Sequence, residues 1–171
     1  MLSEDVATEM RGRSAEVEMF PLSFSEFLTF NGIFPAPPSL PDAPRTRGRL
    51  KKALSDYMDV GGFPDNDAER GFLLENAVFM ALRRGFNKIE YYNTKKGEEV
   101  DFFVTDKVTD KAWLVQVSYE MADEKTRGRE FAALLAARRE TGIDDCTIVT
   151  WDEEGEEDGV RIVPAWKWLL S

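Results

Sequence analysis

The stretch EEVDFFVTDKVTDKAWLVQVSYE, residues 98–120, reads as two strands joined by a tight polar turn. Each strand carries a polar residue where an apolar one would suit a core. Asp101 lies between Val100 and Phe102, and Gln116 between Val115 and Val117. Desolvating a carboxylate or an amide costs free energy unless a partner meets it. The rest of the chain must supply those partners.

Elements on both sides of this hairpin follow from hydrophobic periodicity. From Asp67 to Arg84 the residues Phe72, Phe79 and Leu82 recur at helical spacing, Leu74 and Val78 widen the stripe, and Gly85 supplies a stop. KIEYYNT is a strand, KKGE a turn, and EVDFFVT and KAWLVQVSYE are the next two strands. EKTRGREFAALLAARRETG is a second helix, and DCTIVTW and VRIVPAWKWLL complete the order. Helix, three strands, helix and two strands describe an α/β fold with a mixed central sheet flanked by helices. Before residue 66 the character differs. FPAPPSLPDAP is an extended loop rich in proline, and GGFPDND is a string of turn formers. The acidic DEEGEED is a solvated hairpin or loop.

Composition narrows the chemistry. The 171 residues, 43% hydrophobic, suit one domain or one and a half. A net charge of -10 argues against a surface that attracts nucleic acid over its whole extent. With no histidine, imidazole catalysis and His-ligated metals are excluded, so a metal would be a hard cation held by oxygen. The single cysteine, Cys146, lies in the apolar run CTIVTW and reads as a buried small hydrophobe in a reducing compartment. No stretch has the length and apolarity of a signal peptide or a membrane span, and the expected location is cytoplasmic.

Spacing then assembles a candidate site. Glu75 lies three, four and seven residues from Phe72, Phe79 and Leu82, on or beside the apolar face of its helix. Gln116 and Ser118, two apart, project from one face of their strand. If the hairpin pairs, Asp101 and Gln116 come within reach of one cation and Glu75 closes the site, a donor set suited to weakly bound Mg²⁺. Plainer readings compete. Glu75 would pair with an arginine or favour the helix dipole, Asp101 would accept turn amides, and Gln116 and Ser118 would be satisfied core polars.

These residues carry a resemblance. A helix Glu, a strand Asp and a residue pair flanking Val117 in the next strand resemble the restriction-endonuclease-like, or PD-(D/E)XK, superfamily. LLENAVFMALRR, YYNTKKGEEVDFFV, LVQVSYE and IVPAWKWLL are similar to the C-terminal domain of a prokaryotic family of AAA-type ATPases with a nuclease-like module of unknown function. LSEDVATEMRGRSAEVEMFPLSFSEFL and DVGGFPD are similar to the end of the ATPase core in that family. The resemblance implies a division into residues 1–65, a short helix–strand remnant of the core plus a linker, and 66–171, a nuclease-like domain. It also implies that the nucleotide-binding core and a middle helical region are missing. No phosphate-cradling G-x-x-x-x-G-K-[ST] motif occurs, so no nucleotide cofactor and no ATP turnover are expected.

Within the superfamily the third-strand motif is an acid, any residue, then lysine. Gln116 and Ser118 occupy those places here, Ser118 at the lysine position. Lys95, Lys96 and Lys125 are the nearest substitutes in sequence, and spacing selects none of them. Catalytic roles at Glu75, Asp101, Gln116 and Ser118 are therefore expected to be degenerate, with Glu75, Asp101 and Gln116 as the metal set. Three functions stand open: a binding or structural module with little or no catalysis, an Mg²⁺-dependent deoxyribonuclease, and a remnant that associates with intact relatives. Weak DNA binding and homo-oligomerisation, as a dimer through the strand-like AEVEMFPL, are the expected partners; no membrane is expected. Arg11 and Arg13 are expected as a basic helix end, TRGREF and AARR as a solvated face, and Trp166 and Trp168 as packing for the C-terminus.

Overall fold

The structure is a computed structural model and describes residues 20–33, 44–60, 67–86, 88–106 and 108–171. Arg11, Arg13, most of the expected strand AEVEMFPL, and the two turn-rich stretches apart from Pro44 and Asp67 lie outside these residues. The elements run α1 Phe24–Phe30, α2 Pro44–Val60, α3 Asp67–Gly85, β1 Lys88–Asn93, β2 Glu99–Asp106, β3 Lys111–Ser118, α4 Glu124–Thr141, β4 Cys146–Thr150, β5 Gly155–Glu157, β6 Val160–Pro164 and α5 Ala165–Trp168.

Six strands form one mixed sheet in the order β1-β2-β3-β4-β6-β5. The first three are antiparallel neighbours, as residues joined by short turns allow. The chain then crosses through α4, so β4 runs parallel to β3, and after the short β5 it returns as β6, parallel to β4. CTIVT in β4 is buried along its whole length, the continuous apolar run of a strand covered on both faces. The acidic patch forms β5 and its turn into β6, with Asp158 and Gly159 both at positive φ, 53° and 74°. The α/β reading with helices flanking a central sheet therefore holds.

Two cores sandwich the sheet. On one face, Leu28 of α1, Leu54 of α2 and Leu74 and Val78 of α3 pack on Phe102, Val115, Val149 and Trp166. On the other, Phe131, Leu134 and Ala137 of α4 pack on Leu114, Ile148 and Val160. Cys146 belongs to this second core. Trp166 is fully buried and Trp168 packs beside it, as expected for residues that fasten the C-terminus.

Three local features differ from the sequence reading. First, α1 and α2 are helices within the stretch before residue 66, α1 closed by a capping box in which Ser23 and Glu26 satisfy each other's backbone N–H. Second, the buried stripe of α3 is Leu73, Leu74, Ala77, Val78 and Leu82, whereas Phe72 is 59% and Phe79 is 36% exposed. The stripe that meets the sheet is centred on Leu74 and Val78, which leaves residues 72 and 79 at its flank; the Phe79 ring reaches Phe102 at 6.1 Å from there. Third, β2 is irregular at Asp101. Glu90 of β1 faces Phe103, yet Tyr92 faces Val100, so β2 spends one extra residue over this interval. That is a β-bulge. It inverts the strand: Val100 packs with the α4 side, Phe102 and Val104 with the α3 side.

A charged clamp ties α2 to the end of β4. Asp152 accepts from Arg47 Nε at 3.2 Å and Lys51 Nζ at 2.7 Å, and its backbone carbonyl accepts from Arg47 Nη2 at 3.2 Å. Burial alone would raise the Asp152 carboxyl, but Lys51 and Arg47 together hold it below the usual carboxylate range. Because the carboxylate is 37% exposed, solvent screens the clamp, and Asp152→Ala is expected to cost only about 1 kcal/mol in urea unfolding. A loss below about 0.3 kcal/mol would show that α2 is held by its apolar contacts alone.

Candidate functional site

The pairing of β2 with β3 runs from Asp106 opposite Lys111 to Phe102 opposite Val115 and stops there. Beyond that point the bulge at Asp101 leaves backbone groups that no longer meet in a ladder. Two side chains take over. The Asp101 N–H donates to Gln116 Oε1 at 3.2 Å, and the Val117 N–H donates to Asp101 Oδ2 at 2.7 Å. Each polar side chain thus satisfies the backbone of the other strand, which answers why they stand among Val and Phe.

A cleft of about 610 Å³ opens at this fork. Its walls come from α3 through Gly71 and Glu75, from the turn and start of β2 through Gly97 to Glu99 and Asp101, from β3 through Gln116 and Val117, and from α4. Glu75, Asp101 and Gln116, the residues expected to converge, all line it. Ser118 does not: it is buried, and its Oγ donates to the Glu120 carbonyl at 3.2 Å. Lys95, Lys96 and Lys125 are exposed and none lines the cleft.

The residue that sequence reasoning missed is Glu130 of α4. It is 6% exposed, and its Oε2 accepts from Gln116 Nε2 at 2.7 Å while Oε1 accepts from Arg129 Nη2 at 2.6 Å. TRGREF reads as a solvated helix face, which hid the buried acid. The available signal was helical: Glu130 stands three, four and seven residues before Ala133, Leu134 and Ala137, all buried. The arginines around it are engaged by acids, Arg127 by Glu153 and Glu157 and Arg138 by Asp144, as a solvated face requires.

Charge in the cleft is one-sided. Among the described residues Glu75, Glu98, Glu99, Asp101 and Glu130 line it, against Arg129 alone. Burial pushes the Asp101 carboxyl up to about 7; the Val117 N–H opposes this, and the Glu75, Glu130 and Glu99 carboxylates add to it. Burial likewise raises Glu75, whose Oε1 accepts from the Tyr91 hydroxyl at 3.5 Å, and Glu99 reinforces the rise. Chemically the cleft favours protons or cations over anions. Gln116 has both ends of its carboxamide committed within the protein. Among the described residues no group of three or more His, Cys, Asp or Glu side chains is arranged to hold a metal ion. No helix of the described residues is long and apolar enough to cross a membrane.

The chain is similar to an uncharacterized protein of Methanocaldococcus jannaschii, MJ1544, with 36% identity over 115 residues that cover 60% of this chain. The matched part is 25% of that relative, so the chain spans about a quarter of its length. No solved structure matches. Residues 70–168, which hold most of α3, the whole sheet, α4 and every residue of the cleft, match the family described as Domain of unknown function (DUF4143), and with more than half of its length matched the chain belongs to that family.

Proposed function

We propose that the protein is a restriction-endonuclease-like domain whose catalytic site has become a hydrogen-bonded structural junction, and that it serves as a binding or structural module with little or no nuclease activity. The observation that carries this reading is the commitment of Gln116. At the place where the superfamily keeps a metal-binding acid, its oxygen accepts the Asp101 N–H and its nitrogen donates to Glu130. Ser118, at the lysine place, turns to a backbone carbonyl. Among the described residues no ammonium group lines the cleft to stabilise charge on an attacked phosphate. The helix, three strands, helix and strand that frame the cleft are in keeping with the resemblance to that superfamily. The M. jannaschii relative, about four times the length of the matched part, is in keeping with a module carried by larger proteins such as AAA-type ATPases.

One observation favours a second reading, a Mg²⁺-dependent deoxyribonuclease that uses Glu75, Asp101 and Gln116. The carboxylates around Asp101 are short of positive charge, and a divalent cation would relieve them. One assay separates the two. The parent chain and the Gln116→Glu, Ser118→Lys double variant are compared on single-stranded, duplex and branched DNA with Mg²⁺ and with Mn²⁺. Each missing group is worth about a hundredfold or more in rate, so the parent is expected to cut at background. Metal-dependent cutting by the parent that Asp101→Ala abolishes would replace the module reading with the enzyme.

A further inference from the structure

A second cavity, of about 630 Å³, lies at the other end of the α3-side face and has the opposite character. The sheet forms its floor through the half-buried Trp113 and Val163, with the buried Val104, Val115 and Thr147 beneath them. Register places these on adjoining strands: Val104 opposite Trp113, and Val115 opposite Thr147, which in turn faces Arg161. One wall is the end of α3, with Leu82 and Phe86; the other is α5 and the last residues, with Trp168 and Leu169. Floor and walls are mostly apolar, with Ser23, Thr147 and Ser171 as the neutral polar residues.

Among the described residues, three cations edge this trough, Arg84, Arg161 and Lys167, and no Asp or Glu side chain lines it. In a chain of net charge -10, that separation of sign is a local property of the site. Each cation has an acid beside it outside the lining: Glu26 at 3.6 Å from Arg84, Asp145 at 2.7 Å from Arg161, and Glu154 against Lys167. Those acids orient the head groups. Arg161 spends one terminal nitrogen, Nη2, on Asp145, and a guanidinium carries five donors. An apolar enclosure of a few hundred cubic ångströms with a few convergent polar groups is the form of a small-molecule site. Base stacking fits less well, because the Trp113 ring already packs against Phe86 at 5.1 Å.

We propose that this trough binds a small amphipathic organic anion, an aliphatic or aromatic body that lies on the Trp113–Val163 floor and ends in an acidic group held by Arg161 and Lys167. The site is separate from the acidic cleft, so the reading of that cleft neither supports nor endangers it.

The test is a titration with 1-anilinonaphthalene-8-sulfonate, followed by probe fluorescence and displaced by decanoate, by inorganic phosphate or by oligodeoxythymidylate. Saturable binding of one probe per chain, displaced by decanoate and weakened by salt, is expected. Arg161→Glu and Lys167→Glu, both at exposed side chains, are each expected to weaken it at least about tenfold, the worth of a hydrogen bond to a charged group. Glu75→Gln, in the other cleft, is expected to leave it unchanged. Val163→Phe, which fills the floor, is expected to abolish it, and if that variant fails to fold the charge reversals decide alone. Binding indifferent to both reversals, or displacement by phosphate or the oligonucleotide as readily as by decanoate, would overturn the assignment.

Discussion

Replacing Gln116 by glutamate is expected to lower the unfolding free energy near neutral pH by about 3–5 kcal/mol, the cost of leaving a buried charge opposed instead of paired. Gln116 and Glu130 are 5% and 6% exposed, and the bond between them is 2.7 Å long. In the variant, two carboxylate oxygens would face each other across that distance with Asp101 close by. One of the pair must hold a proton. The deficit should therefore shrink in acid, where that proton is readily supplied, and grow as the pH rises. Millimolar Mg²⁺ or Mn²⁺ should also reduce it, since the variant has the extra negative charge that a hard cation needs. Ser118→Lys in the same chain should recover part of the loss, because Ser118 lies two residues along the same strand face and an ammonium there can approach both acids. Urea unfolding of the parent, the single variant and the double variant, with and without the metal, measures all of this. A single variant within about 1 kcal/mol of the parent would mean that Glu130 swings out to solvent and that the junction is not the closed structure described above.

The same junction shows why some of the molecule was legible in sequence and some was not. Helices α3 and α4 and the four longer strands after β1 announce themselves through period, length and turn residues, because burial of one stripe or one face repeats regularly. The convergence of Glu75, Asp101 and Gln116 was legible for the same reason: a helix and a hairpin of known length leave few places for their polar members to go. The bulge at Asp101 was not. In EVDFFV, strict alternation puts Val100, Phe102 and Val104 on one face, and only the register against β1 reveals that Val100 belongs to the other. A bulge depends on which residue of a neighbouring strand stands opposite, a relation absent from any local window.

Partners set by distant elements were hidden likewise. Asp101 accepts the Val117 N–H and not the turn amides after KKGE, and Gln116 donates to a helix residue 14 positions on. Composition also misled locally. Prolines in FPAPPSLPDAP read as an interruption, yet the last of them, Pro44, opens α2, where its fixed φ and missing N–H do no harm. In α3 the largest apolar side chains, Phe72 and Phe79, drew the stripe toward themselves, whereas packing against a flat sheet selected the leucines and Val78. Size is a poor guide to which side of a helix is buried when two apolar arcs adjoin.

Asp101→Asn is expected to stabilise the protein at alkaline pH and to leave it nearly unchanged in acid. The ordinary carboxyl value for this residue is 3.8, and in the fold it rises to about 7, first through burial and then through the Glu75, Glu130 and Glu99 charges, against the pull of the Val117 N–H. Below the lower value the carboxyl is protonated in both the folded and the unfolded chain, and pH does nothing through it. Between the two values the unfolded chain has released its proton while the folded chain still holds one, so rising pH favours unfolding. Each pH unit in that window is worth about 1.4 kcal/mol, for a total on the order of 4 kcal/mol once the folded carboxyl has ionised. Asparagine removes the titration and keeps an oxygen for the Val117 N–H. The four carboxylates held below their ordinary range, Glu26, Asp106, Asp123 and Asp152, act in the opposite direction, but they are common to both proteins and cancel in the difference. Urea unfolding at several pH values should therefore give two curves that meet near the ordinary carboxyl value and part by about 4 kcal/mol once the pH exceeds that of the folded group. Parallel curves would place the Asp101 carboxyl in contact with water, and with it the claim that this cleft is a charged, closed junction would fall.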